Sequence, residues 1–153
     1  MHEMNGDWYP WGANVNGNTP ADFVAAWRHV WKIFAEEDAS ANVVWEWAPN
    51  EQFQGSAALE PLYPGDAYID QIGISAYNWG DRPSGPVSSR WREFGVMIDP
   101  TLKEIGAFTD LPLGVSETGS SAVGGDRAEW IEGMFDDALE RELTFINYFD
   151  IKT

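Results

Sequence analysis

An α/β fold with parallel strands is the expectation, and two features of the sequence set it. Short segments rich in β-branched and aromatic residues alternate with stretches carrying apolar residues at helical spacing. That alternation calls for parallel strands joined by crossover helices. Strands are predicted over 42–47, 70–77, 111–117 and 144–149. Ala48-Pro49-Asn50 ends the first, and Pro112 is tolerable only near the start of the third. The first helix begins at Thr19 as N-cap with Pro20 in the first helical position, and carries Phe23, Trp27, Val30, Trp31 and Phe34 at helical spacing. A weaker helix is predicted over 89–108, with a break near Asp99-Pro100. A third runs over 127–142, with Trp130, Ile131, Met134, Phe135, Ala138 and Leu139 on one face.

Met1-His2-Glu3 reads as the end of a further strand. A closed parallel barrel takes eight strands and about 250 residues. The 153 residues are therefore expected to form part of a (β/α)8 TIM-barrel, one partial domain over 1–153, cut inside one strand and again just after another. An open half barrel leaves sheet edges unpaired, so self-association through those edges is expected.

Composition narrows the partners. The net charge is −16 with three Lys, so nucleic acid and anionic membranes would be repelled while a neutral ligand is unaffected. No apolar run is long enough to span a membrane, and the N-terminus does not read as a signal peptide. Without Cys, no thiolate nucleophile or thiolate metal site is available. Two His cannot build a His-rich site, and no calcium-loop signature is present, so no metal and no cofactor are expected. No GxGxxG, P-loop or HExxH motif occurs, and the spacing around Ser116 is not that of a GxSxG elbow. Aromatic residues make up 14%, many of them in Gly, Asn and Pro-rich contexts where a ring serves as a platform for a flat sugar face as readily as it fills a core.

Two segments share a design. His2-Glu3-Met4-Asn5-Gly6 and Ser116-Glu117-Thr118-Gly119 each place a Glu where a strand ends and a Gly-containing loop begins. Strand C-termini form the working face of an α/β barrel. Two carboxyl groups meeting there suit double-displacement glycoside hydrolysis, in which one protonates the leaving oxygen and the other attacks the anomeric carbon. Taken singly, a Glu at a strand end is more often a surface carboxylate, and spacing alone leaves both readings open.

His2-Glu3-Met4-Asn5-Gly6-Asp7-Trp8-Tyr9-Pro10-Trp11 closely resembles the acid/base segment of glycoside hydrolase family 26. Val44-Trp45-Glu46-Trp47-Ala48-Pro49-Asn50 resembles that family's strand 5, Ile72-Gly73-Ile74-Ser75-Ala76-Tyr77-Asn78 its strand 6, and Leu113-Gly114-Val115-Ser116-Glu117-Thr118-Gly119 its nucleophile strand. The resemblance runs to about residue 149 and implies strands 4 to 8 of the barrel. It also implies a secreted retaining hydrolase of β-1,4-linked mannan-type polysaccharide, with mixed-linkage β-glucan or xylan as alternatives. Carried over by position, Glu3 is the acid/base and Glu117 the nucleophile. His2 lies near the nucleophile and the sugar 2-hydroxyl, Trp8 lines the cleft, and Tyr77 donates a hydrogen bond to the nucleophile. Trp79, in a loop with Gly80, Pro83 and Gly85, is a stacking candidate, as are Trp11, Trp47 and Trp91 more weakly. Trp27, Trp31 and Trp130 read as core. Two rivals stand: a non-catalytic carbohydrate-binding module and an inactive fragment.

Overall fold

The computed structural model describes residues 1–82 and 89–150. Helix α1 (Pro20–Glu36) precedes strand β1 (Glu46–Trp47); then come β2 (Gln71–Asn78), α2 (Phe94–Ile105), β3 (Leu113–Ser120), α3 (Arg127–Glu140) and β4 (Ile146–Tyr148). The strands form one parallel sheet in the order β1-β2-β3-β4. The predicted alternation holds on either side of α2 and α3. Between β1 and β2 no α-helix forms. That stretch carries Pro49, Pro61 and Pro64, turns at Gly65 with φ 98°, and makes 3-10 turns at Glu60–Leu62 and Asp66–Tyr68.

The α1 start is as expected. The Thr19 hydroxyl accepts from the Asp22 amide, and the Asp22 carboxylate accepts from the Thr19 amide, a reciprocal cap behind Pro20. Phe23 and Trp27 are buried, whereas Val30 is exposed and Trp31 and Phe34 are only half-buried. Trp31 is thus not core but an edge-on neighbour of Tyr68. Strand 42–47 is shorter than predicted. Asp70 ties down the Trp45 amide through its carboxylate at 2.7 Å, and residues 40–42 coil into a 3-10 turn before pairing begins. The expected break at Pro100 does not occur. The amide that Pro100 lacks would have met the carbonyl of Val96, and Val96 is 65% exposed, so water can reach that carbonyl. In α3, Trp130, Met134 and Ala138 are buried, but Phe135 and Leu139 of the predicted face point to solvent.

One face of β2, bearing Ile72, Ile74 and Ala76, packs with Val115, Phe94, Met97 and Ile98 in the core between sheet and helices. Gln71, Gly73 and Tyr77 take the other face and meet Glu46, Ser116 and Glu117. Period-2 alternation thus divides the sheet into a helix-packed side and a polar side.

Tyr63 carries a consequence for alkaline stability. Burial first, and then the hydrogen bond it donates to Asp66 at 2.6 Å, push its phenol up to about 12. Below pH 10 the phenol is protonated in both folded and unfolded chains, and its contribution is whole. Between 10 and about 12 the unfolded chain ionises first, so stability falls as pH rises. Urea midpoints measured across that window should fall, and Tyr63→Phe should flatten the fall.

Candidate active site

Residues 1–3 do not enter a named strand. The Glu3 amide donates to the Ala48 carbonyl at 2.7 Å, just beyond β1, as a ladder partner would. Glu3 itself then adopts φ 53°, a left-handed conformation costing a non-glycine residue about 1 kcal/mol. That turn takes the chain out of strand geometry and accounts for the missing strand end. Glu3 is 8% exposed, and its Oε2 accepts the indole N–H of Trp8 at 2.6 Å.

Glu117 reaches the polar face of the sheet through an irregularity in β3. Ile74 pairs with Val115 but Ser75 pairs with Glu117, so Ser116 is an extra residue on β3. On the other side Val115 pairs with Ile146 and Thr118 with Tyr148, again one residue too many on β3. In a regular strand Ser116 and Glu117 would face opposite ways. The bulge lets both side chains share the polar face.

There Tyr77 donates its hydroxyl to Glu117 Oε2 at 2.7 Å. His2 Nε2 stands 3.8 Å from Glu117 Oε1, an ion pair when the imidazole is protonated, and 3.2 Å from the Tyr9 hydroxyl. Burial, then the bond to Glu117, then the charges of Glu117 and Glu3 push the Tyr77 phenol well up. Burial and the same two carboxylates raise Tyr9. Both acidic groups therefore act on one pair of phenols, and both phenols stay neutral donors at physiological pH.

The structure thus gathers His2, Glu3, Trp8, Tyr77 and Glu117. Trp79 stands beside them with its ring 5.2 Å from Tyr77, 44% exposed, and with the Arg82 guanidinium 5.8 Å from its centroid. Pro83 and Gly85 of its expected loop lie outside the described residues. Trp11 is no open platform. It stacks on Tyr9 at 4.5 Å and 11°, and its N–H donates to the His2 carbonyl at 2.8 Å, so it holds His2 in place. Trp47 is fully buried, and Trp91 is half-buried against the core.

Sequence reasoning missed several participants. Tyr9 lies within the Glu3 segment, in a turn where no periodicity singles it out. Phe53 pairs with Trp8, ring centroids 5.6 Å apart, beside Glu3. The Asn5 carboxamide donates to the Asn50 carbonyl and accepts from the Asn50 amide, both at 2.9 Å, and joins the Glu3 loop to the end of β1. Arg92 grips Glu51 with two bonds of 2.6 and 2.7 Å, although burial pushes the Glu51 carboxyl up more than Arg92 draws it down. Those partners are 41 positions apart, and nothing local in the sequence joins them.

Gly6 is a sharp test of the Trp8 contact. A Cβ there would stand 2.4 Å from the Trp8 ring, which can move only by swinging away. Gly6→Ala should leave the fold intact but break the bond to Glu3. The Trp8 indole proton, assigned by Trp8→Phe, should lose its downfield NMR position. An unmoved resonance would contradict this geometry.

The model for glycosyl hydrolase family 26 matches residues 1–88, more than half of the chain. The chain belongs to glycosyl hydrolase family 26. Endoglucanase H of Acetivibrio thermocellus is 35% identical over 134 residues, covering 86% of this chain and 14% of that protein. Mannan endo-1,4-beta-mannosidase A and B of Caldalkalibacillus mannanilyticus is 32% identical over 82 residues, covering 51% of this chain and 15% of that protein. Among solved structures, the catalytic domain of a family 26 endo-β-1,4-mannanase from Bacillus sp. JAMB-750 superposes with a TM-score of 0.67 at 21% identity, covering 97% of this chain and 39% of that one. A modular endo-β-1,4-mannanase from Cellulomonas fimi gives 0.66 at 20% identity, covering 97% and 32%. With the parallel sheet described above, these likenesses show the family 26 fold: the chain is an arc of a (β/α)8 barrel. It spans well under half the length of each of these relatives.

Proposed function

We propose that the chain carries the catalytic pair of a retaining β-glycanase, with Glu117 as nucleophile and Glu3 as acid/base. The observation that carries this is the Tyr77–Glu117 hydrogen bond with Glu3 acting on the same phenol. Tyr77 occupies Glu117 Oε2 and stabilises its charge, which leaves Oε1 as the attacking oxygen. Oε1 forms a bond to the anomeric carbon while the bond to the leaving oxygen breaks, and Glu3 delivers its proton to that oxygen. Glu3, now a carboxylate, accepts the Trp8 N–H and takes a proton from the water that cleaves the glycosyl ester. Two inversions give net retention at the anomeric carbon. The mechanism places the two carboxyl groups about 5–5.5 Å apart.

The substrate we propose is β-1,4-linked mannan, favoured by family 26 relatives and structural neighbours that are mannanases. Trp8 and Phe53 beside Glu3, and Trp79 beside Tyr77, offer exposed ring surface to sugar faces. A second reading, β-glucan, is favoured by the likeness to endoglucanase H over most of the chain. Proton NMR of the first product formed from mannan, mixed-linkage glucan and xylan tests both points. A β-anomer as initial product from mannan supports the reading, an α-anomer removes the double displacement, and a higher kcat/KM on glucan replaces the substrate.

A further inference from the structure

We propose that Glu46 is a positioning residue for Glu117, holding through Ser116 the bulge that turns Glu117 toward the substrate. This rests on the reading of Glu117 as nucleophile. Glu46 lies on β1, two strands away from β3. Its Oε1 nevertheless accepts the Ser116 hydroxyl at 2.5 Å, and its Oε2 accepts the Gln71 amide at 2.6 Å. Both oxygens of a half-buried carboxylate are therefore engaged, one by each of the next two strands. The reach across β2 exists only because residue 73 is glycine. A Cβ at Gly73 would stand 2.0 Å from Ser116 Oγ and 2.9 Å from Glu46 Oε1.

Ser116 is the residue that β3 has in excess of β2. An extra residue makes no regular ladder pair, so the strand could expel it and restore alternation. Regular pairing would set Ser116 opposite Ser75 and Glu117 opposite Ala76, rotating Glu117 toward the helix-packed side and away from Tyr77. Tying the Ser116 hydroxyl to Glu46 over Gly73 holds Ser116 off that pairing and leaves Glu117 as the inward partner of Ser75. Among the described residues the Glu46 carboxylate hydrogen-bonds Gln71 and Ser116 and none of the residues placed at the reacting bond, so its effect passes through the backbone of β3.

The test is carboxyl-carbon NMR on the full chain labelled at glutamate, with the Glu117 resonance assigned by its disappearance in Glu117→Gln. Ser116→Ala and Glu46→Ala should both shift the Glu117 resonance, in the direction produced by Tyr77→Phe, while near-UV circular dichroism keeps its native form. Ser116→Thr, which keeps the hydroxyl, should leave the resonance in place. On mannan, Ser116→Ala should lower kcat by about 10- to 100-fold with KM little changed, as expected for a displaced nucleophile. A Glu117 resonance that stays put in folded Ser116→Ala or folded Glu46→Ala overturns the proposal. Full turnover by Glu117→Gln would instead remove the nucleophile reading and leave the positional result standing.

Discussion

Glu117→Gln is expected to lower kcat on mannan by about 10³-fold or more while leaving the thermal midpoint nearly unchanged. Gln keeps the size of the side chain and an oxygen to accept from Tyr77, so the 2.7 Å contact survives and only the proposed nucleophile is lost. Glu3→Gln should behave differently. With a sugar leaving group the loss is about 10²–10⁴-fold, the usual contribution of a general acid. With an activated aryl leaving group, which needs no proton, the first step should recover and the glycosyl-enzyme should accumulate. Azide, a nucleophile needing no general base, should then restore turnover. Equal losses in both variants on both substrates would not fit an acid/base and a nucleophile with separate duties.

Trp47→Ala carries the largest expected effect on stability. The ring is fully buried and meets Tyr63 and Phe108 edge-on at 5.3 and 6.4 Å. Removing a buried Trp costs about 3–5 kcal/mol in lost transfer energy and cavity. The indole N–H of Trp47 is buried with no hydrogen-bond partner among the described residues, so its removal offsets about 1 kcal/mol of that loss. The thermal midpoint should drop by about 10 °C. Trp8→Ala, at a ring 46% exposed, should move it far less. A small shift for Trp47→Ala would mean that the core between sheet and helices is not built around this ring.

The contrast between Trp47 and Trp8 shows what the sequence could and could not reveal. Trp47 follows Glu46 at a strand end, and period-2 alternation predicts that one faces in and the other out, but not which side a barrel arc covers. Trp8 lies in a loop with Gly and Asp, and only its likeness to a cleft-lining residue singled it out; its bond to Glu3 was not foreseen. Thr19 and Pro20 fixed the start of α1 because capping is local chemistry. The Tyr77–Glu117 contact was legible only through the family resemblance. Three features of the site were not legible. The extra residue at Ser116 and the clasp from Glu46 across Gly73 arise from pairing between strands, and the left-handed turn at Glu3 is a single backbone angle; no periodicity in a single segment encodes any of them. Glu51 and Arg92 were passed over because their contact joins two loops 41 positions apart.

Trapping with a 2-deoxy-2-fluoro-mannosyl fluoride, followed by peptide mass mapping, tests the central claim most directly. The electron-withdrawing fluorine slows both steps, and the good leaving group lets the first outrun the second. The expected result is one added sugar mass on the peptide containing Glu117, lost on prolonged incubation and absent in Glu117→Gln. A label on any other residue would contradict the account, as would an enzyme that turns over mannan but is never labelled.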